Sequence, residues 1–280
     1  MATTHVLPPA LIRGFSSALI AVMIVALSAC AGRPDPADTE AYAEYQEIND
    51  PIEPLNRGIF EINRGLDTLF LEPASILFKD LLLLPLQRAV HNVLNNLRTP
   101  IVLANDLLQG DLDRAETTLM RFLINSTIGV AGLDDRAADM GYPYHGEDFG
   151  QTLAVWGVDE GPYVMLPVFG PSNPRDTAGL VVDVLLNPIW WWGRATDREY
   201  VTLAIGAAEA VNFRARNYDE IEDLERTSLD FYAAVRSLYR QRRADEILNG
   251  VTPETPVPPA FGRGSGQDAS AMPDIPQTTQ

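Results

Sequence analysis

The sequence predicts an all-α fold built from amphipathic helices. Across residues 49–250, apolar side chains recur in several segments at spacings of three and four residues, which places them on one face of a helix. No run of alternating apolar and polar residues is long enough to predict a sheet. Beyond the N-terminus, no stretch reaches the roughly 18 apolar residues that a membrane-spanning helix needs. The expected architecture is therefore helical, with no conventional transmembrane span.

The first 29 residues are predicted to be an export signal. Arg13 is the only formal charge ahead of the apolar run Ala18–Leu27, and small residues precede Cys30, as in a cleaved signal peptide. Cys30 is the lone cysteine of the chain, so no disulfide partner explains it. The sequence Leu27-Ser28-Ala29-Cys30 resembles a bacterial lipobox, which implies acylation of Cys30 by chains such as palmitate. Residue 31 is alanine rather than the aspartate that signals inner-membrane retention, which favours the outer membrane.

Both ends of the exported chain differ in composition from its centre. Residues 30–48 are rich in proline and acidic residues and are expected to form a tether behind the lipid anchor. Residues 251–280 are rich in Pro, Gly, Ser, Gln and Thr and are expected to be disordered. Removing residues 1–29, whose only formal charge is Arg13, changes the net charge from −17 to −18. Such a charge argues against nucleic acid and anionic head groups as partners, but not against acyl chains.

The first helix of the 49–250 domain is expected to begin at Asp50. Asp50 can cap it, Pro51 suits the first helical position, and Glu53 completes a pair that resembles a capping box. The apolar stripe of this helix is Leu55, Ile59, Ile62, Leu66 and Leu69.

A second helix is expected to start at Pro85 and to close at Pro100. His91 falls on its polar side and is expected to be a surface residue. The apolar face is formed by Leu86, Ala89, Val90, Val93, Leu94 and Leu97.

Two further helices are expected before the centre of the chain. Ile101–Gln109 forms a short helix that Gly110 stops, because glycine readily adopts the left-handed conformation that ends helices. Asp113 with Glu116 can cap the next helix, which is expected to end before Gly129.

The C-terminal part of the domain is expected to hold helices at Ala178–Leu186 and Tyr200–Arg216, followed by one last long helix. The last helix carries basic residues near its C-terminal end, where cations suit the helix dipole. The run Trp190-Trp191-Trp192 fits an interfacial belt and a packed core equally well. The apolar stripe of the last helix is Ile221, Leu224, Ser228, Phe231, Val235 and Leu238.

The central segment Asp148–Asp176 is expected to be neither helix nor strand. Its glycines and prolines, among them Gly150, Gly157, Gly161 and Pro162, interrupt both periods, although many apolar residues lie between them. From the residues alone, a buried surface loop of a soluble helical domain is the simplest interpretation.

The motifs of common enzymes are incomplete in this chain. Asp148-Phe149-Gly150 spells the magnesium triplet of protein kinases, but no phosphate loop, strand lysine or catalytic loop accompanies it. Gly170 to Pro174 lacks the closing glycine of a hydrolase nucleophile elbow. Asp134-Asp135 is a poor catalytic pair, because consecutive side chains seldom converge on one atom.

A metal site is also not expected. His145 with Glu147 and Asp148 could supply one imidazole and two carboxylates, but adjacent carboxylates on a loop are usually just solvated. The sequence therefore predicts no catalytic residue, no metal and no cofactor, and a protein that is not an enzyme.

Several long motifs in one order resemble the MlaA/VacJ family of outer-membrane lipoproteins. The resemblance covers Asn49 to about Gly250, with departures at Pro54, in the acidic balance and in the long C-terminal tail. The motifs are Asn49-Asp50-Pro51 with Asn56-Arg57, Leu108-Gln109-Gly110-Asp111, Arg121 to Gly129, the segment Asp148–Asp176, and Tyr232 to Arg236 with Tyr239, Gln241 and Arg242.

The resemblance implies a non-enzymatic conduit for phospholipid. Similar proteins are rings of amphipathic helices that lie in the outer membrane beside a porin trimer and surround an amphipathic channel. They remove phospholipid from the outer leaflet and pass it to a periplasmic lipid carrier of an inner-membrane ABC transport system, which maintains lipid asymmetry. In this chain the mature protein would be lipid-anchored on the periplasmic side of the outer membrane.

The resemblance also gives the central segment a role, because irregular backbone is tolerated at membrane depth where it lines a cavity. Tyr163, Leu166 and Phe169 are then the expected lipid-pathway residues, and Gly150, Gly157, Gly161 and Pro162 are expected to shape the backbone that presents them. Two alternatives remain: a structural lipoprotein that scaffolds envelope partners, and a lipid hydrolase, which the missing nucleophile motif disfavours.

Overall fold

The computed structural model describes residues 48–249, together with Thr39. The predicted signal peptide, Cys30, the rest of the tether up to residue 47 apart from Thr39, Gly250 and the tail 251–280 lie outside the described residues. Within them the fold is helical, as predicted, with one small sheet.

Helix α1 spans Glu53–Leu66 and passes through a π-helical turn, Asp67–Leu71, into α2, Glu72–Leu81. The predicted cap is wrong, because Ile52 occupies the N-cap position and no side chain caps the helix. Asp50 is buried instead and accepts hydrogen bonds from Asn56, Tyr232 and Arg236. Asn56 of α1 and two distant residues of α11, Tyr232 and Arg236, thus bind the carboxylate that was predicted to cap the helix.

Helix α3 is a single 26-residue helix, Leu84–Gln109, and not the two predicted helices. Pro100 lies inside it. Proline lacks only its own N–H, so one hydrogen bond of the helix is lost while both flanks remain packed. The predicted stop is confirmed, since Gly110 follows with φ of 80°. Helix α4, Leu112–Thr127, is capped by Asp111 and not by the predicted Asp113.

The central segment contains regular structure that was not predicted. After the short helix α5, Arg136–Asp139, helix α6 spans Phe149–Val155 and is capped by Asp148. Strands β1, Val164–Leu166, and β2, Gly170–Ser172, form an antiparallel hairpin in which Met165 lies opposite Pro171. Three-residue strands are too short to show an alternating pattern, so sequence periodicity could not reveal them.

Five helices follow the hairpin: α7, Pro174–Leu186; α8, Pro188–Ala195; α9, Glu199–Arg216; α10, Tyr218–Thr227; and α11, Phe231–Ile247. The prediction of one last long helix is wrong, because α10 ends at Thr227 and a separate helix, α11, begins at Phe231. Asp230 accepts a hydrogen bond from the backbone N–H of Ala233 and so starts a new helix there.

The helices form a closed circuit. Helix α3 packs against α6, α6 against α7, α7 against α8, α8 against α9, and α9 returns to α3. Outside this circuit, α1, the hairpin and α11 meet at a small aromatic core. There the rings of Phe60, Tyr163 and Tyr232 pack edge to face around Met165, with centroids 5.4 Å apart for Phe60 and Tyr232.

Candidate functional site

The polarity of this protein is reversed relative to an ordinary soluble domain. Among the described residues, buried polar and charged side chains outnumber buried hydrophobic ones. Large apolar side chains meanwhile stand outside: Leu83 is 79% exposed, Leu203 76% and Leu81 75%. Soluble proteins rarely expose contiguous apolar surface of this kind unless it contacts a membrane or a partner.

The exposed apolar residues are distributed along several helices and are not concentrated in one membrane-spanning segment. No helix within residues 48–249 is both long enough and apolar enough to cross a bilayer. A helix that contacts acyl chains without crossing the membrane must do so along its side. Around α1, α2 and the start of α3, the exposed large apolar residues are Ile62, Leu69, Phe70, Ile76, Leu77, Leu81, Leu83, Leu84 and Leu86.

Three asparagines hold the free edge of the hairpin, and we call them the asparagine ladder: Asn49, Asn56 and Asn63. They are seven residues apart, two turns of helix, so Asn56 and Asn63 lie on one face of α1. Asn49 donates to the carbonyl oxygen of Gly161 over 2.7 Å. Asn56, fully buried, donates to the carbonyl of Tyr163 and accepts from the N–H of Met165.

The last member of the ladder binds the hairpin near its tip. Asn63 donates to the carbonyl of Leu166 over 2.8 Å and accepts from the N–H of Val168 over 2.7 Å. Side-chain amides thus replace the neighbouring strand that β1 lacks on this side. The contact was not predicted, although the heptad spacing of the three asparagines is a signal for it in the sequence.

The structure separates the three predicted lipid-pathway residues. Tyr163 is only 2% exposed and packs in the aromatic core, whereas Phe169 is 68% exposed at the hairpin tip. Leu166 is half-buried at the end of β1. Next to Phe169, Val168 is exposed with φ of 70°, a left-handed conformation that is costly for a β-branched residue. The tip therefore presents Leu166, Val168 and Phe169 together.

Two glycines permit a close crossing of helices α6 and α7. A Cβ added at Gly150 would lie 2.6 Å from an oxygen of Asp176, and one at Gly179 would lie 2.3 Å from the backbone nitrogen of Gly150. Gly150 was predicted to shape the backbone, but Gly179 was not singled out because it lies inside a regular helix.

Gly157, Gly161 and Pro162 lie between α6 and the hairpin. Gly157 and Gly161 have φ of 86° and 72°, which glycine adopts without strain. Pro162 directly precedes Tyr163, whose N–H donates to the carbonyl of Asn49 over 2.8 Å. The turn therefore delivers β1 to the asparagine ladder.

Arg243 of α11 joins the two ends of the central segment. Its guanidinium contacts the carboxylates of Asp148 and Asp176, and Tyr239 also donates to Asp176. Burial disfavours ionisation of both aspartates, but hydrogen bonds from Arg243 outweigh it and hold the pKa of each carboxyl below its usual value. The basic residues of α11 were predicted to suit the helix dipole, and this contact of Arg243 was not predicted, because its partners lie far away in the sequence.

The three residues considered for a metal site bind separate partners. His145 contacts Asp106 and Thr118, Glu147 accepts from Arg114 and Gln109, and Asp148 binds Arg243. Within the described part of the chain no cluster of His, Cys, Asp and Glu has the arrangement of a metal site. Burial raises the pKa of Glu147 despite its two donors.

His91 is not the surface residue that was predicted. Its ring is partly buried between Asn95 of α3 and Asn212 of α9, at 3.0 and 3.1 Å. Burial, together with the nearby charge of Arg216, lowers the pKa of His91. The helical pattern could not show that a second helix covers this polar face.

Asp135 of the consecutive aspartate pair has a structural role. It accepts from Arg121 over 2.8 Å and from Asn125 over 2.9 Å. Burial works against its ionisation, but these donors outweigh burial and lower its pKa.

The tryptophan run lies on α8 and is partly exposed. The rings of Trp190 and Trp191 pack edge to face, with centroids 4.8 Å apart, while Trp191 and Trp192 are 55% and 45% exposed. Arg194 lies over the ring of Trp190 at 5.1 Å, and Arg198 over that of Trp192 at 5.8 Å. This arrangement fits an interfacial belt better than a packed core, because two indole rings face outward.

Comparison with known proteins identifies the family. The sequence model of the MlaA lipoprotein family matches residues 48–246. The intermembrane phospholipid transport system lipoprotein MlaA of Escherichia coli is 32% identical over 214 residues, 74% of this chain and 81% of its own. The protein of that name from Haemophilus influenzae is 30% identical over 230 residues, 81% of this chain and 88% of its own.

Two further matches extend the comparison. An uncharacterized protein of Rickettsia bellii is 34% identical over 203 residues, covering 72% of this chain and 78% of its own. A solved structure from a study of how bacterial outer membrane lipid asymmetry is maintained matches with a TM-score of 0.63 and 31% identity. That match covers 71% of this chain and 98% of the solved one. The chain therefore belongs to the MlaA lipoprotein family.

Proposed function

We propose that this protein removes phospholipid from the outer leaflet of the outer membrane and passes it on for retrograde transport to the inner membrane, which maintains lipid asymmetry. Membership of a family of phospholipid transport lipoproteins supports this function. The observation that carries it in this chain is the reversed polarity: large apolar side chains are exposed along the helices, while among the described residues buried polar and charged side chains outnumber buried hydrophobic ones. A conduit for an amphipathic molecule needs both surfaces.

The protein acts in the envelope as a lipid-anchored component. Cys30, acylated with palmitate-type chains, holds it on the periplasmic side of the outer membrane. Its partners are phospholipid, an outer-membrane porin trimer, and a periplasmic carrier that delivers lipid to an inner-membrane ABC transport system. It has no enzymatic role and no cofactor, and its strong negative charge disfavours nucleic acid.

The lipid pathway runs past the hairpin tip. Leu166 and Phe169 contact acyl chains there, since one is half-buried and the other exposed. Tyr163, buried in the aromatic core, supports the strand that carries them. Gly150, Gly157, Gly161 and Pro162 fix the backbone on the N-terminal side of the hairpin.

A lipid assay in vivo and in vitro tests the transport function. The protein is purified in mild detergent and its bound phospholipid is measured by phosphorus analysis and mass spectrometry. In parallel, surface phospholipid is measured in cells that lack the gene and in cells complemented with it. A conduit gives co-purified phospholipid and a rise in surface phospholipid that complementation reverses.

A structural lipoprotein that only scaffolds partners is the alternative function, and it predicts neither result. A lipid hydrolase, the remaining alternative, would release free fatty acid from phospholipid in the same detergent extract. Absence of bound lipid together with unchanged surface phospholipid would rule out the conduit.

A further inference from the structure

One face of helix α3 connects two other helices of the circuit. His91, Arg98 and Asn105 are each seven residues apart and so lie on nearly the same side of α3. At one end of this face, His91 contacts Asn212 of α9 at 3.1 Å. At the other end, Asn105 donates to Asp183 of α7 over 3.0 Å. Arg98 is therefore midway between the two contacts, about 10 Å of helix from each.

The side chain of Arg98 is exposed at this junction. Within residues 48–249 it has no close ion pair, unlike most of the other arginines of the domain. Burial raises the pKa of Asp183 on α7 and of Glu209 on α9, and the charge of Arg98 opposes that rise at both carboxyls. Asp183 is already held by the N–H of Phe149 and by Asn105, whereas Glu209 has no such donors among the described residues.

The surroundings of the junction leave room for a ligand. Gly206 precedes Glu209 by three residues on α9, and a Cβ placed there would meet no atom within 4 Å. Pro100, two residues after Arg98, cannot donate to the carbonyl of Asn96, which leaves one backbone acceptor of α3 without its helical donor.

We propose that Arg98 binds the phosphodiester group of a phospholipid head group between helices α7 and α9 of the circuit, on the face of α3 that His91 and Asn105 share. This inference rests on the proposed transport function and assigns a head-group contact to it. An arginine fork matches phosphate oxygens through two parallel hydrogen bonds. Every common bacterial phospholipid carries this phosphodiester, whatever its terminal group.

The two carboxylates explain how the lipid would leave again. In a chain with a net charge of −17, a phosphate needs a local cation to bind at all. A cation with no competitor would hold the lipid too firmly for a conduit, because binding and release must both be easy. Glu209 lies one turn before Asn212, the residue of α9 that contacts His91, so a carboxylate stands on the side of α9 that faces α3 and competes with the phosphate for Arg98.

The test compares Arg98→Gln and Arg98→Lys with Arg88→Gln in the full-length acylated protein. Arg88 is exposed and lies on another side of α3, so its substitution is a matched loss of one charge. Phospholipid bound per protein is expected to fall about tenfold in Arg98→Gln and less in Arg98→Lys, and to stay unchanged in Arg88→Gln. Radiolabelled diacylglycerol, which has the same tails and no phosphate, is expected to bind all variants equally.

Glu209→Gln is expected to change the amount of bound lipid in the opposite direction. Removal of the competing carboxylate should leave more phospholipid bound per protein and also raise surface phospholipid, because release becomes slower. Unchanged phospholipid binding in Arg98→Gln, or an equal loss of phospholipid and diacylglycerol, would overturn the assignment. Binding of inorganic phosphate that disappears in Arg98→Gln would assign the site to free phosphate instead. Wild-type protein that carries no phospholipid would contradict the transport function itself, before any variant is compared.

Discussion

Arg243 donates two hydrogen bonds to Asp148, from Nη1 to Oδ2 over 2.7 Å and from Nη2 to Oδ1 over 2.6 Å. This bidentate pair connects α11 to the start of α6, 95 residues earlier in the chain. The Arg243 side chain is only 9% exposed, so water could not solvate its guanidinium if the carboxylates were lost.

Removal of this arginine should destabilise the protein. We expect Arg243→Ala to lower the free energy of unfolding by about 3 kcal/mol, because two partly buried carboxylates would lose their shared partner. Arg242→Ala is the matched control, since Arg242 is 62% exposed and, among the described residues, pairs only with Glu246 one turn away. Its cost should be below about 1 kcal/mol. Urea unfolding in mild detergent measures both, and equal costs would contradict a structural role for the Arg243 pair.

Asp183 should make stability depend on pH in the direction opposite to ordinary surface acids. Burial raises its pKa to about 6, although Phe149 and Asn105 donate to it. Protonated Asp183 therefore favours the folded state, and its contribution is present below the ordinary pKa of 3.8 and is lost as the pH rises through about 6. We expect Asp183→Asn to stabilise the protein by about 1 kcal/mol at pH 8, after discounting for partial exposure, and not at pH 4. Thermal unfolding at the two pH values checks this, and a gain that is the same at both would refute it.

Each asparagine of the ladder should protect its own hairpin N–H from hydrogen exchange: Asn56 that of Met165, and Asn63 that of Val168. Asn56→Ala leaves the carbonyl of Tyr163 and the N–H of Met165 without their partner, which should cost about 2 kcal/mol and speed amide exchange at Met165. Asn63→Ala should speed exchange at Val168 alone. Hydrogen exchange measured by mass spectrometry on overlapping peptides separates the two. Exchange at Met165 that rises equally in both variants would show that the hairpin opens as one unit.

A carboxylate at the end of β1 should impair lipid transport without impairing folding. Leu166→Asp places a carboxylate at a half-buried position next to the exposed tip, where water can solvate it. We expect normal abundance in the outer membrane with raised surface phospholipid. Tyr163→Asp, at a 2% exposed core position, should instead reduce abundance. Degradation of Leu166→Asp as severe as that of Tyr163→Asp would mean that Leu166 is core and not pathway.

Anchoring should depend on Cys30. In Cys30→Ser the thioether that carries the diacyl group cannot form, so palmitate labelling should disappear and the protein should leave the outer-membrane fraction. Labelling with radioactive palmitate and fractionation of the envelope measure both. Normal labelling of the variant would disprove acylation at this residue.

Periodicity predicted most helices of this fold and failed where distant contacts decide the structure. Gly110 ends α3 as expected, because a left-handed residue is a local requirement. Pro100 does not end it, since packing on both sides compensates for one missing hydrogen bond. Asp50 was assigned to the nearest helix end, but its partners Tyr232 and Arg236 are more than 180 residues away.

The central segment was recognised as unusual, but its structure could not be derived from local patterns. Its hairpin depends on amides from α1, and its two ends depend on one arginine of α11. A sequence shows that polar residues such as Asn56 and Arg243 lie on helices. It does not show which distant backbone or carboxylate they will bind, because that choice is made by tertiary packing.

The reversed polarity also bears on how the protein reaches its destination. Before it is inserted, a secreted chain of this family must cross an aqueous compartment with Leu81, Leu83 and Leu203 turned toward water. Exposed apolar surface of this extent drives self-association, so the folded form requires cover during transit. If Cys30 is acylated as proposed, an escort that shields its acyl chains must therefore shield the helices as well, or keep the chain unfolded until it reaches the membrane.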